Sequence, residues 1–124
     1  MINQVSIKLE MPHRFLSPNS RCHWAYKARR KKHQRMSAQI YIRQELGPLP
    51  EPKWETANVQ ITVTPPDRRR RDKDNLLASL KAAFDGAQDA GLIADDSGLT
   101  YLPITIAEPD KANAGVQITF IKTT

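Results

Sequence analysis

Residues 59–86 read VQITVTPPDRRRRDKDNLLASLKAAFDG, and the order of patterns in this stretch decides the fold class. Apolar and polar residues alternate over the first six positions, which predicts a half-buried strand that Pro65-Pro66 ends. After a highly charged stretch, apolar residues recur at helical spacing from Leu76 to Ala87. A strand, a polar connection and an amphipathic helix in this order are typical of an α/β domain.

Upstream of this stretch, the sequence predicts one strand and one long helix. Residues 5–9 alternate between apolar and polar, as a half-buried strand does. Residues 24–46 contain no proline or glycine, and Met36, Ile40 and Tyr41 have the spacing of one helical face. We therefore expect a helix whose apolar side includes these three residues, whereas residues 27–35, which are nearly all cationic, are expected to be helical only with a partner that neutralises them.

Downstream, Gly91 stands where a glycine ends a helix, and two strands are predicted at about residues 99–107 and 116–120. A turn at residues 109–110 separates them, which predicts a hairpin. The order β-α-β-α-β-β, with two crossover helices and one hairpin, indicates a small mixed β-sheet with two helices in a compact α/β fold. We expect residues 1–124 to form one domain.

Charge is distributed unevenly along the chain. The net charge is 19 − 13 = +6, but residues 1–50 carry ten Lys/Arg and two acids (10 − 2 = +8), whereas residues 51–124 carry nine and eleven (9 − 11 = −2). This division suits a polyanion partner that binds the basic N-terminal half, while carboxylates of the C-terminal part hold a metal ion nearby. A solvated basic face is the alternative interpretation.

The composition also suggests a compartment. Cys22 is the one cysteine, so an internal disulfide is excluded and a reducing environment is favoured. The sequence shows neither a stretch as long as a membrane span nor the apolar run of a signal peptide. These features predict a cytoplasmic protein without a membrane partner.

Asp72 and Asp74 are candidate metal ligands. Mg²⁺ usually binds through one or two carboxylates together with substrate phosphate. If the chain is extended here, residues two apart point to the same side and can share one cation. The alternative is that Asp74 or Asn75 is only the N-cap of the following helix.

Four consecutive arginines precede these carboxylates, and guanidinium groups hold phosphates as planar forks. Alternation along an extended chain would place at most two of them on one face, so the others are expected to pair with Asp67 or with glutamates. Four arginines beside two carboxylates are hard to explain by packing, which favours phosphate contacts. The run consists of Arg68, Arg69, Arg70 and Arg71.

Two further candidates follow. Asp95 and Asp96 can return a third carboxylate to the pair if their loop folds back, or they form only a turn that ends at Gly98. Lys81 lies seven residues after Asp74, about two turns of a continuous helix, so it can project on the same side as the helix start. It would then stabilise charge at a phosphate or protonate a leaving oxygen; an ordinary solvent-facing lysine is the alternative.

The N-terminal half interleaves cations with aromatic residues. This mixture can bind backbone phosphates and stack on unpaired bases. The alternative is a solvated turn with Trp24 and Tyr26 partly in the core. The residues concerned are Arg21, His23, Trp24, Tyr26, Lys27, Arg29 and Arg30.

The combined pattern over about residues 65–98 resembles the RusA-type Holliday-junction resolvases, small endonucleases often encoded by phages and prophages. Elsewhere the similarity is loose but collinear. The matching residues are the arginine run with Asp72-Lys73-Asp74-Asn75, then Lys81-Ala82-Ala83-Phe84-Asp85, Gly91 and Asp95-Asp96.

This resemblance implies a homodimer that binds four-way DNA junctions and, with Mg²⁺ or Mn²⁺, makes paired nicks in strands of like polarity. The essential carboxylates of the family fall on Asp72, Asp74 and Asp96, and its catalytic lysine falls on Lys81. The lysine follows the second aspartate by seven residues here, against four in the family member matched, a difference of about one helical turn.

The resulting hypothesis is a metal-dependent nuclease in which Asp95 and Asn75 support the metal ligands without binding the ion. A non-catalytic, basic nucleic-acid-binding protein is the alternative. The expected DNA contacts are Asn19, Arg21, Lys27, Arg29, Arg30, Lys31, Lys32, Arg68, Arg69, Arg70, Arg71 and Lys73.

Overall fold

The computed structural model describes residues 2–48 and 53–123 and has the predicted mixed α/β architecture. Within these residues, one sheet is packed against helices. Its strands are β1 (Gln4–Leu9), β2 (Ala57–Thr64), β3 (Leu99–Tyr101), β4 (Thr105–Ile106) and β5 (Gly115–Lys122). The α-helices are α1 (Trp24–Leu46), α2 (Lys73–Ala78) and α3 (Lys81–Asp89), with 3-10 turns at Arg14–Leu16 and Asp96–Gly98.

The sheet has the order β1-β5-β2-β3, and β4 also pairs with β2. β5 runs antiparallel to β1 and β2, whereas β3 and β4 run parallel to β2. The predicted C-terminal hairpin is therefore wrong, because β5 lies between β1 and β2 instead of pairing with β4. Val116, Ile118 and Phe120 of β5 are fully buried, which a central strand achieves more readily than one at an edge.

The alternation predicted for the strands is confirmed. The register places Ile7, Ile118 and Ile61 side by side on neighbouring strands, and all three are buried. The opposite face of β5 carries Gln117, which is exposed, and Thr119, which is partly exposed. One face of the sheet thus forms the core beneath the helices, while the other is polar.

Helix α1 buries a different side from the one predicted. Met36 and Ile40 are exposed, and the buried residues are Gln34, Ala38 and Ile42, which are four apart. The reason is the close approach of α3: a Cβ atom added at Gly86 would lie 2.3 Å from the carbonyl oxygen of Arg35. A small or flat side chain fits this crossing better than a large apolar one.

The second predicted helix is interrupted by the side chain of Gln34. In a continuous helix, the N–H of Ala83 would donate to the carbonyl of Ser79. Here Gln34 Nε2 donates to that carbonyl at 2.9 Å and Gln34 Oε1 accepts from Ala83 N at 3.1 Å. Ala83 N also donates to Leu80 O at 2.9 Å, in the tighter geometry of a 3-10 turn. The inserted amide therefore replaces one helical hydrogen bond and separates α2 from α3.

The predicted glycine at the end of the second helix is confirmed. Gly91 has φ +81°, and the N–H of Leu92 donates to Ala87 O at 3.1 Å, as in a Schellman ending. This turn reverses the chain toward the start of β2, where Trp54 N donates to Leu92 O at 2.8 Å.

Helix α1 is a highly charged helix of 23 residues. Across residues 2–48 and 53–123, no helix combines the length and the apolar character that crossing a membrane requires. The cations of α1 are Lys27, Arg29, Arg30, Lys31, Lys32, Arg35 and Arg43.

Candidate functional site

Asp72 begins α2 as its N-cap. Its backbone is extended (φ −82°, ψ 123°), and its Oδ1 accepts hydrogen bonds from Asp74 N at 2.8 Å and Asn75 N at 3.3 Å. The capping residue is therefore Asp72 and not Asp74 or Asn75 as predicted. Both bonds use Oδ1, so Oδ2 receives no hydrogen bond from the described part of the chain.

The expectation that Asp72 and Asp74 share a side of an extended chain is wrong. β2 ends at Thr64, and Asp74 already lies in the first turn of α2. The reason is the capping by Asp72, which starts the helix one residue before Asp74 and so removes the period-two geometry. Both carboxylates are nevertheless exposed at one helix start, where acidic side chains complement the helix dipole.

The arginine run forms a loop that Arg71 and Asp67 hold together. Arg71 Nη2 donates to Asp67 Oδ1 at 3.0 Å, and Arg71 Nη1 donates to the carbonyls of Asp67 at 3.2 Å and Arg69 at 2.9 Å. The hydrogen bond from the backbone of Arg69, followed by that from the side chain of Arg71, lowers the pKa of Asp67. Arg68 pairs with Glu108 at 3.4 Å. The prediction that some of these arginines pair with acids is thus confirmed.

A cleft opens beside Asp72, and we call it the Asp72 cleft. It lies between the segment that follows β1 and the segment from Pro66 to Ser79. Asp72 is its one acidic lining residue among the described side chains. The lining residues are Met11, Pro12, His13, Arg14, Ser17, Pro66, Arg69, Arg71, Asp72, Asn75, Leu76 and Ser79.

His13 lines the cleft together with Arg14. Burial, followed by the charges of Arg30 and Arg14, lowers the pKa of His13. Neither His13 nor Arg14 was predicted to belong to the site. No local signal could have indicated this, because they reach Asp72 only through the parallel alignment of β1 with β2 on either side of β5.

Lys81 lies in a neighbouring groove with cations of α1. The expectation that Lys81 follows Asp74 along a continuous helix is wrong, because the break at Gln34 makes Lys81 the first residue of α3. The groove, which we call the lysine groove, brings Lys81 together with Lys27 and Lys31. Its other lining residues are Leu16, Pro18, Gln34, Ala78, Ser79 and Ala82.

Asp95 and Asp96 form a turn at the other end of β2. Ser97 Oγ donates to Asp95 Oδ2, and this hydrogen bond is the main reason that the pKa of Asp95 is lowered. A Cβ atom added at Gly98 would lie 1.9 Å from the carbonyl oxygen of Glu55, which precedes β2. Asp72, in contrast, lies beside Pro66, which follows β2. The two candidate carboxylate sites therefore flank opposite ends of this strand.

The described part of one chain does not bring three carboxylates together as a metal site. Among residues 2–48 and 53–123, no three His, Cys, Asp or Glu side chains are grouped so as to hold a metal ion. Asp72 and Asp74 are thus a pair of exposed carboxylates, and the expected return of Asp96 to them does not occur in one chain because β2 separates the two positions.

The cations predicted in the N-terminal half lie on α1 or just before it. Arg21 and the helix residues Arg29, Arg30, Lys31 and Lys32 are exposed. Lys27 is partly buried, and its Nζ donates to Ser17 O at 3.4 Å. Asn19, Arg70 and Lys73 are also exposed. The alternative that placed Trp24 and Tyr26 partly in the core is wrong, because both side chains are exposed.

Comparison of the chain with models of known protein families finds no family model that matches. A protein of Xylella fastidiosa (strain Temecula1 / ATCC 700964), described as uncharacterized, is 35% identical over 100 residues, or 80% of this chain. The present chain spans 65% of that protein's length.

Proposed function

We propose that this protein is a metal-dependent endonuclease for branched DNA, of the RusA-type Holliday-junction resolvase kind. The observation that supports the proposal is the Asp72 cleft, in which an exposed carboxylate lies among Arg14, Arg69 and Arg71. Arginines beside a carboxylate provide, in one place, contacts for a phosphodiester and an oxygen ligand for a divalent cation. The arginine and aspartate motif of the sequence favours the same chemistry.

Asp72 and Asp74 would hold Mg²⁺ or Mn²⁺. Their carboxylate oxygens suit these hard cations, and Oδ2 of Asp72 is available because both capping hydrogen bonds use Oδ1. One or two carboxylates with substrate phosphate suffice for Mg²⁺. In the proposed homodimer, Asp96 of the second copy is the candidate third ligand, since Asp96 of the same chain lies beyond β2. When bound, the ion would supply Lewis-acid chemistry at the phosphodiester.

The basic surface would hold the DNA backbone near the cleft. It consists of the exposed cations of α1 and of Lys81, which lies with Lys27 and Lys31 in the lysine groove. A two-fold dimer would present two such surfaces to the equivalent strands of a four-way junction. Branched DNA as the partner and the cytoplasm as the compartment belong to this proposal.

The test is the variant Asp72→Asn with a synthetic four-way junction in Mg²⁺. Asparagine caps helices as well as aspartate does, so this change removes the charge while preserving the start of α2. We expect cleavage to fall about 100-fold or more, because a lost metal ligand removes several kcal/mol of transition-state stabilisation. Glu45→Gln, at the exposed end of α1, is the control. Cleavage by Asp72→Asn at the wild-type rate would show that the metal assignment is wrong.

A non-catalytic nucleic-acid-binding protein is the second candidate. The observation in its favour is that Asp72 already has a structural role as an N-cap, while no third ligand lies nearby within the described part of the chain. It predicts DNA binding that weakens steeply with salt and no nicking with any divalent metal. Incubation of four-way and linear DNA with and without Mg²⁺ separates the two candidates.

A further inference from the structure

The first turn of α1 exposes two large aromatic side chains. Trp24 is 75% exposed and Tyr26 is 54% exposed, whereas Trp54, the other tryptophan, is 3% exposed in the core. Exposed tryptophan and tyrosine side chains leave apolar surface in water, and they are enriched where proteins bind partners. The start of α1 is therefore a candidate binding surface.

The aromatic rings are held in fixed positions relative to one another. His23 is the N-cap of α1, and its Nδ1 accepts a hydrogen bond from Ala25 N at 3.2 Å, which orients the imidazole. The ring of His23 stacks on Trp24 with centroids 5.6 Å apart and an interplanar angle of 29°. It also meets Tyr26 edge-on at 6.1 Å. The imidazole of His23 thus packs against one face of the Trp24 indole, while most of the indole is exposed to solvent.

One of these rings contacts a cation, and further cations are close in the sequence. The guanidinium carbon of Arg29 lies 5.2 Å from the ring centroid of Tyr26, in cation–π contact. Arg21 and Arg30 are exposed nearby in the sequence, and the first turn of α1 contains no acid. Aromatic faces between phosphate-binding side chains are the combination that binds unpaired nucleic-acid strands, because every base has a π-face to stack.

A membrane surface suits this arrangement less well. An interfacial helix buries one continuous apolar face in the lipid. Trp24 and Tyr26 are two residues apart, so about 200° separates their directions around the helix. Separate rings that point in different directions, with Arg29 against Tyr26, fit individual bases better than they fit a lipid layer.

We propose that His23, Trp24 and Tyr26 form a stacking site for unpaired bases, with Trp24 as its main contact. The protein would then prefer DNA whose bases are unpaired, as at a branch point or in a single strand, over blunt duplex. This inference rests on the DNA binding in the proposed function and adds the feature of the DNA that is recognised.

The test compares Trp24→Ala with wild type for binding of oligo(dT) and of a blunt duplex of equal length at one salt concentration. We expect about tenfold weaker binding of oligo(dT), as for the loss of one stacked base, and a change below about twofold for the duplex. The slope of affinity against salt should stay the same because no charge is removed. Trp24→Phe should recover most of the loss, since it restores a ring.

Tyr41→Ala is the matched control. Tyr41 is also exposed on α1 (41%) but lies about 26 Å farther along the helix, so its removal should leave both affinities unchanged. Trp24 fluorescence gives an independent readout: oligo(dT) should quench it in wild type, while the emission of buried Trp54, observed in Trp24→Ala, should not respond.

Three results would overturn the inference. The first is an equal loss of affinity of Trp24→Ala for both DNAs, and the second is no loss for either. The third is Trp24-dependent binding of the protein to anionic vesicles without binding to oligo(dT). Absence of binding to any DNA would refute it together with the proposed function. Trp24-dependent preference for oligo(dT) without cleavage in Mg²⁺ would support the stacking site and refute the nuclease.

Discussion

Replacing Gln34 by methionine should destabilise the fold, although it changes the side-chain volume little. Gln34 is 7% exposed, and its amide bonds to the Ser79 carbonyl and the Ala83 N–H. Two buried hydrogen bonds at about 1 kcal/mol each give a loss of about 2 kcal/mol. With an unfolding entropy of about 2.1 cal/mol/K per residue and 124 residues, this loss corresponds to a fall in Tm of about 8 °C.

The assay is thermal unfolding followed by circular dichroism, with Gln44→Met as the control. Gln44 lies on the same helix but is exposed, so its replacement should change the stability by less than about 0.5 kcal/mol. A Tm for Gln34→Met within about 2 °C of wild type would refute the reasoning, because packing alone would then account for the helix break.

The variant Gln34→Glu also tests whether the hydrogen bonds of this side chain, and not its volume, stabilise the fold. The protonated carboxyl can both donate to the Ser79 carbonyl and accept from Ala83 N, as the amide does. The ionised form can only accept, and burial of its charge is costly. This variant should therefore be more strongly destabilised relative to wild type at pH 7 than at pH 4, and a pH-independent difference would contradict the assignment.

The remaining predictions concern the α1–α3 crossing, one ion pair and the metal site. Gly86→Ala should lower the free energy of unfolding by about 3 kcal/mol or prevent folding, because the new Cβ atom would meet Arg35 O at 2.3 Å; Gln88→Ala, exposed on the same helix, is the control in denaturant unfolding. The pair of Arg35 Nη2 and Asp89 Oδ1, 2.9 Å apart, holds the pKa of Asp89 below its usual 3.8. The stabilisation that this ion pair gives the fold is therefore fully present above the usual pKa, and it is lost as the pH falls through the lower pKa of the folded state. The Tm deficit of Asp89→Asn should accordingly be full at pH 7 and shrink below about pH 4, and a deficit that grew on acidification would oppose this assignment. Mixing inactive Asp72→Asn with inactive Asp96→Asn should restore up to about half of the junction cleavage per mixed dimer if the site is shared between copies, whereas no recovery in exchanged dimers would show that Asp96 of the second copy does not complete the site.

The strands β1, β2 and β5 were predictable because each buries one face of a single sheet, so that alternation records burial directly. The one strand predicted at about residues 99–107 is instead the two short strands β3 and β4. The C-terminal part of α1 followed from the lack of proline and glycine, but the helical state of its cationic residues 27–35 and its buried side did not. That side consists of Gln34, Ala38 and Ile42, and their burial depends on Gly86, more than forty residues away in the sequence. A polar residue and a small residue give no apolar periodicity from which this packing could be inferred.

The candidate site was likewise predictable only in part. The sequence pointed to Asp72 with its arginines and to the pairing of some arginines with Asp67 or glutamates, which the pairs of Arg71 with Asp67 and Arg68 with Glu108 confirm. The positions of Lys81 and Asp96 relative to Asp72 did not follow, because they depend on an inserted amide and on the direction of β2. Arg14 was missed since its approach to Asp72 requires β5 to lie between β1 and β2.

The position of β5 has a consequence for the order in which the molecule is built. On a ribosome, β1 and β2 emerge long before residues 115–122, yet β1 pairs with β5 alone among the described strands. A nascent chain that stops before this segment can form the cationic helix and the β2–β3 crossover, but β1 has no partner. Completion of the sheet is therefore a late, long-range event, and until then an unpaired amphipathic strand is available to chaperones or to a neighbouring nascent chain.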